Sequence, residues 1–170
     1  NGMGPTVLVR TDTDALPVLE ATGLPYASKQ KTIDDKGVEV PTMHACGHDV
    51  HMTCWVGTAK VLTSLKDKWS GTLVFIAQPA EERGAGARMM LADGLFRKFP
   101  VPDYCLALHV SHDQPVGTLG YTSGFAMANV DSVDITVKGV GGHGSQPQSA
   151  KDPIGLAAQS ILNLQPIVSR

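Results

Sequence analysis

The run Met43-His44-Ala45-Cys46-Gly47-His48-Asp49-Val50-His51 puts three imidazoles, a thiol and a carboxylate almost side by side. Packing has no use for such a cluster. Its members share one property: each is a ligand for a borderline-soft divalent metal, or a partner that orients such a ligand. Cys46 and His48 stand two apart across Gly47, a spacing that lets a thiolate and an imidazole reach one ion while the glycine eases the backbone turn. His44 and His51 could each orient a ligand, contact a substrate or be structural. Asp49 is placed to cap a helix running to about Leu65.

Three further groups could join this chemistry. Gln78-Pro79-Ala80-Glu81-Glu82 follows an apolar stretch, and two adjacent carboxylates at a strand end can split roles, one binding metal and the other acting as general base. The bland alternative for this segment is a solvated Glu-Glu-Arg turn, which the neighbouring cluster disfavours. His109 closes the apolar run Leu106-Ala107-Leu108, where a lone histidine is more often a satisfied core residue than a ligand. Asp12 and Asp14 alternate with threonines, so both face one side, either toward the cluster or in a solvated turn. Gly139-Val140-Gly141-Gly142-His143-Gly144 fits the glycine pattern of dinucleotide-binding loops, but Ser145-Gln146-Pro147-Gln148 cannot open the helix that pattern requires. The glycines then serve to expose His143 on a loop.

The elements needed to position these groups follow from periodicity. Thr6–Arg10 and Thr72–Ala77 read as buried strands, as does Tyr104–Val110, with helices from Asp49 and over Ala85–Ala92 between them. Pro17–Pro41 reads as a long loop with a turn at Asp34-Asp35-Lys36-Gly37. Strand and helix in alternation argue for an α/β fold, a three-layer domain with a mostly parallel sheet. Sites in such sheets gather at the carboxyl ends of strands, and Asp12, Asp14, Glu81, Glu82 and His109 all fall there. Near Ala128 the character changes. Val130–Val140 alternates as a half-exposed strand, and Asp152 caps a helix opening at Pro153 and continuing through Ile161 and Leu164. Residues 1–127 therefore form one domain, and 128–170 begin a second.

Bulk properties narrow the function. The 170 residues carry a net charge of −2 and are 42% hydrophobic, enough for a core but without the basic excess of a nucleic-acid partner. No apolar run reaches the roughly 18 residues of a membrane span. Three scattered cysteines make no disulfide framework and suit a reducing, cytoplasmic setting; Cys54 and Cys105 read as core residues. The opening Asn1-Gly2-Met3-Gly4 does not resemble a signal peptide. The chain stops within an apparent helix at Val168-Ser169-Arg170, so both ends read as truncated.

Together, Arg10–Pro17, Met43–His51, Gln78–Glu82, His109 and Gly141–Gly144 resemble the metal-dependent amidohydrolases related to aminoacylase and carboxypeptidase. The branch holding hippurate hydrolase, N-acyl-amino-acid amidohydrolases and auxin-conjugate hydrolases is the most similar. The resemblance implies hydrolysis of the amide bond of an N-acyl amino acid at two divalent ions, zinc, manganese or cobalt. Cys46, His48, Glu82 and His109 would be ligands, Glu81 the general base, and Asp14 a support, with His44, Asp49 and His51 in supporting or substrate-contacting roles. His143 would be a lid-domain residue that touches substrate in a partner subunit, so residues 128–170 would begin a lid or dimerisation domain and the full protein would be a homo-oligomer. Family members are longer and supply a further histidine ligand from a C-terminal segment. The 170 residues alone are therefore expected to be inactive. Two alternatives from other classes are a non-catalytic metal-binding module and a nucleotide-binding oxidoreductase.

Overall fold

The computed structural model describes residues 1–168; Ser169 and Arg170, where the final helix was expected to continue, lie outside the described residues. Two compact units divide the chain, Asn1–Thr118 and Leu119–Arg170.

The first unit is built on strands β1 (Thr6–Asp12), β4 (Thr72–Gln78) and β5 (Tyr104–Leu106), in the order β4-β1-β5 and all parallel. The expected mostly parallel α/β sheet is therefore present. β-Branched and apolar residues fill β1 and β4, as a sheet with helices on its faces requires. The register sets Asp12 level with Gln78. Two hydrogen bonds from Thr13, its N–H (3.0 Å) and its hydroxyl (3.1 Å), go to the Gln78 carbonyl and hold the strand ends together. The turn after β4 therefore starts beside Asp14.

Helix α1 (His48–Ser64) packs on one face. Its Trp55 ring meets Phe75 edge-on at 5.4 Å and donates its indole N–H to the Val9 carbonyl at 3.2 Å. Helices α2 (Gly86–Ala92) and α3 (Leu95–Lys98) stand on the other face, enclosing an apolar groove lined by Leu8, Ile76, Met90, Leu95 and Leu106. Among the described residues the apolar side chains that are fully buried are Leu8 and Leu95, whereas Asp12, His48 and His51 are at least as deeply buried. The tightest burial in this unit is polar.

Several expectations need correction. Pro17–Pro41 is not all loop: β2 (Lys31–Ile33) and β3 (Glu39–Pro41) form an antiparallel hairpin. Asp34 closes its turn by accepting from the N–H groups of Lys36 (2.9 Å) and Val38 (2.8 Å). Three-residue strands with exposed side chains leave little periodicity to read. The α1 cap is Gly47, with φ 78°, and Asp49 falls inside the first turn. The third strand stops at Leu106, because no further ladder forms with β1. Cys54 and Cys105 are exposed, Cys105 because it sits on the edge strand β5.

In the second unit, α4 (Pro153–Val168) begins as expected, with the Asp152 carboxylate accepting from Ile154 N–H (2.9 Å) and Gly155 N–H (3.1 Å). The strand expected over Val130–Val140 is not formed among the described residues; its sole pairing is the bridge Val140–Lys151. An alternating pattern makes a strand only when a neighbour takes its backbone groups. The glycine loop Gly139–Gly144 leads to a short 3-10 turn at Pro147–Ser149 rather than directly into a helix, against a dinucleotide site. Among the described residues no helix is long and apolar enough to cross a membrane.

Two glycines test the packing. A Cβ on Gly86 would strike the Pro79 carbonyl, while one on Gly57, inside α1, meets nothing within 4 Å. Gly57→Ala should stabilise the chain by about 0.5–1 kcal/mol through helix propensity. Gly86→Ala should destabilise it, because backbone cannot move aside. Urea denaturation of the two variants checks this; equal midpoints would contradict the close approach of α2 to the Pro79 turn.

Candidate metal centre

The strand ends and the start of α1 deliver their donors to the same place. β1 ends at Asp12 and continues to Asp14; the loop before α1 supplies Cys46 and its first turn His48 and His51; the turn after β4 gives Glu81 and Glu82; the segment after β5 gives His109. Ala80 adopts φ 50°, a left-handed conformation that costs a non-glycine residue about 1–3 kcal/mol. Its carbonyl accepts from Ala85 N–H and Gly86 N–H, both at 3.2 Å, which hold the turn and present the next two carboxylates. Glu82 N–H donates to Asp14 Oδ2 at 3.0 Å. A further ion pair, Arg83–Asp35, ties the same turn to the β2–β3 hairpin.

His48 is the centre of the cluster. Its Nδ1 lies 3.0 Å from the Asp14 carbonyl, an acceptor only, so Nδ1 carries the proton and Nε2 the lone pair. That Nε2 is buried with no hydrogen-bond partner. Three carboxylates surround it: Asp12 Oδ2 at 3.7 Å, Glu81 Oε2 at 3.8 Å and Glu82 Oε1 at 3.8 Å. An orphaned buried acceptor facing carboxylates costs free energy unless a cation joins them. His109 repeats the arrangement. Its Nδ1 reaches the Val110 carbonyl at 2.7 Å, leaving Nε2 at 3.4 Å from Cys46 Sγ. A histidine whose Nδ1–H is fixed by an oxygen while Nε2 points at other donors is arranged as metal ligands are.

Two groups of potential ligands overlap here, Cys46–His48–His109 and His48–Glu81–Glu82, each with donor atoms within 4.8 Å of one another. The mixed sulfur, nitrogen and oxygen donors fit zinc, manganese or cobalt. His48 Nε2 has a single lone pair, so one ion takes it and a second would rest on the remaining thiol, imidazole and carboxylates. The third such group, Asp12–His48–His51, is a hydrogen-bonded network instead. Val110 N–H donates to His51 Nε2 at 3.0 Å, and His51 Nδ1–H then donates to Asp12 Oδ1 at 2.6 Å. Both nitrogens of His51 are taken.

The candidates therefore separate. Cys46, His48, Glu81, Glu82 and His109 converge, and Asp14 backs His48. His44 donates from Nδ1 to the same Asp14 carbonyl at 3.1 Å and lies outside the ligand groups. Asp49 is exposed and lines a separate hollow with Met52, Val56 and Lys60. His143 belongs to the second unit, where its Nδ1 accepts from Ser145 N–H at 3.2 Å. Reading the sequence undervalued Asp12, which is 1% exposed and bonded to His51 and to Arg10 Nη1 at 3.0 Å. Its alternation with Asp14 was the available signal.

A model of peptidase family M20/M25/M40 matches residues 8–165. The chain belongs to this family. It is 44% identical over 167 residues to an N-acetylcysteine deacetylase of Bacillus subtilis (strain 168), covering 98% of this chain and 41% of the relative. It is 45% identical over 165 residues to the hippurate hydrolase of Campylobacter jejuni, covering 95% of this chain and 39% of the relative. The chain thus spans about two fifths of the length of these curated relatives. Among solved structures, a Bacillus subtilis protein described as a dinuclear metal-binding peptidase of the M20 family superposes with a TM-score of 0.61 at 41% identity, over 71% of this chain and 30% of that one. A Staphylococcus aureus structure assigned as an aminohydrolase superposes with a TM-score of 0.71 at 34% identity, over 99% of this chain and 42% of that one.

Two pH effects follow from the electrostatics of this M20 site. Burial and then the Glu82 charge push the Cys46 thiol above its ordinary value, so as a ligand it would have to release a proton when a cation binds. Apparent zinc affinity should rise with pH, by up to about tenfold per unit for one released proton; titrations at several pH values that show no slope would remove Cys46 from the ligand set. Burial pushes Asp12 upward, but the His51 hydrogen bond and the Arg10 charge outweigh it, and its carboxyl lies below the usual range. A depressed folded value means that Asp12 contributes stability above its unfolded value of about 3.9, and that this is lost as pH falls through the folded value. Asp12→Asn should flatten this acid limb of the stability profile, as read by urea denaturation at a series of pH values.

Proposed function

We propose that the protein of which these residues form part hydrolyses the amide bond of N-acyl amino acids, with Cys46, His48, Glu82 and His109 holding divalent metal and Glu81 acting as general base. The buried, unpartnered Nε2 of His48 facing the carboxylates carries this reading. N-acetylcysteine, N-acetyldiaminopimelate and hippurate, the substrates in the names of the relatives, are all N-acyl amino acids, which supports the substrate class. Divalent ions, when bound, supply Lewis-acid polarisation of the amide carbonyl and lower the pKa of water.

The two glutamates differ in what they can do. Glu82 is tied through its N–H to Asp14 and its side chain is 23% exposed, whereas that of Glu81 is 39% exposed. The tethered carboxylate suits a ligand. The freer one suits a group that takes a proton from the attacking water at Oε2 and hands it to the leaving amine nitrogen. His48 is held in one tautomer by the Asp14 carbonyl, so it offers its lone pair throughout. We assign His143 to substrate contact from the lid, in a homo-oligomer of the full-length protein.

Positioned proton transfer typically contributes about 10²–10⁴-fold. In the full-length enzyme, Glu81→Gln should lower kcat by that order on N-acetyl and N-benzoyl amino acids while elemental analysis finds unchanged metal content. Turnover at the wild-type rate would remove Glu81 from the chemistry.

A further inference from the structure

His109 is the least supported donor in the cluster. It lies past the end of β5, and its neighbours 107–110 are exposed and outside any strand ladder. Counting onward from Val9 opposite Leu106 brings His109 level with Asp12, but no ladder hydrogen bond holds it there. What holds this segment is Val110. Its N–H donates to His51 Nε2 at 3.0 Å. Its side chain fills the space that a Cβ on Gly47 would need. Gly47, with φ 78°, is thus also the residue whose missing side chain lets Val110 approach α1.

The anchor itself is buried and hydrogen-bonded. His51 Nδ1–H is held by Asp12 Oδ1 at 2.6 Å, and both residues are at most 2% exposed. Asp12 Oδ2 accepts from Arg10 Nη1 at 3.0 Å, and Arg10 Nε donates to Gln78 Oε1 at 3.0 Å. One continuous chain of hydrogen bonds therefore runs from the end of β4 through β1 and α1 to the segment after β5. The His51 and His109 rings also meet edge-on, with centroids 4.5 Å apart.

We infer that His51 and Asp12 are positioning residues for His109: they fix the backbone at Val110 and thereby aim the His109 imidazole at Cys46 and His48. This rests on the metal reading above, and deepens it by saying how an arm without a strand beneath it is kept in place. His51 cannot itself be a ligand, because Val110 N–H occupies its lone pair. It acts through its neighbour.

The test has a metal-free arm and a metal arm, both on the full-length protein. In the metal-free protein, the Val110 amide should exchange with solvent slowly, and at least about tenfold faster in His51→Ala, while the Val9 amide in β1 is unchanged. Unaltered Val110 exchange would overturn the proposal whether or not metal binds. In the second arm zinc chloride is titrated into wild type, His51→Ala, His109→Ala and the double variant. His51→Ala should weaken binding about 10–100-fold, the usual effect of losing an orienting partner. The double variant should bind no more weakly than His109→Ala alone, because the two act as one unit. Losses that multiply independently, or wild-type affinity in His51→Ala, would refute it. If His51→Ala does not fold, His51→Asn, which keeps a polar side chain in α1 but lacks the ring nitrogen that accepts from Val110 N–H, takes its place in both arms. Failure of the wild type to bind zinc would sink the proposed function, and the exchange arm would still decide the anchor.

Discussion

The first unit depends on one buried carboxylate. Asp12 closes the central strand, and its two oxygens serve three residues at once: Arg10 on its own strand, His51 in the first turn of α1, and, at longer range, His48 at the start of the same helix. Removing one partner of a buried charged pair typically costs about 3–5 kcal/mol, because the other is left uncompensated. A unit whose buried large apolar side chains, among the described residues, are Leu8 and Leu95 cannot treat this as a minor term. The network gives the unit a polar centre, and the apolar faces pack around it.

From this centre the geometry of the other donors follows. Parallel pairing brings three strand ends to one edge, and the register of β1 with β4 places the glutamate turn beside Asp14. The strained Ala80 then turns two consecutive side chains toward one imidazole. Helix α1 contributes from its first turn alone. Among the described residues, no donor of the cluster lies after His51 in α1.

How much of this was readable from residues alone depended on the type of signal. The Cys46–His48 pair, Glu81-Glu82 and the α/β order were readable because rare residue types and long apolar runs are local signals. Asp12 and Asp14 carry identical side chains two residues apart, and local sequence cannot tell which of them lies beneath a helix. The hairpin β2–β3 was missed because its short strands bury little and its stability comes from Asp34 bonding back to its own turn. Val130–Val140 misled in the opposite way: its alternation is real, but among the described residues no neighbouring strand takes up its backbone. Gly47 eases the backbone turn with φ 78°, as its place between Cys46 and His48 predicts, and its empty side-chain position, which no local pattern reveals, also seats Val110.

A crowd of imidazoles is a poor chelator of one particular ion, because it offers several competing coordination frames of similar energy. Here hydrogen bonding subtracts donors before any ion arrives. His51 is withdrawn at both nitrogens, while His48 and His109, each held at Nδ1 by a backbone carbonyl, keep Nε2 for the cluster; His44 is held at Nδ1 in the same way but lies outside the ligand groups. The surviving frame is defined as much by the lone pairs that have been retired as by those on offer. The exclusion is made by groups outside the candidate ligand set: the Asp14 and Val110 carbonyls, the Val110 N–H and the Asp12 carboxylate.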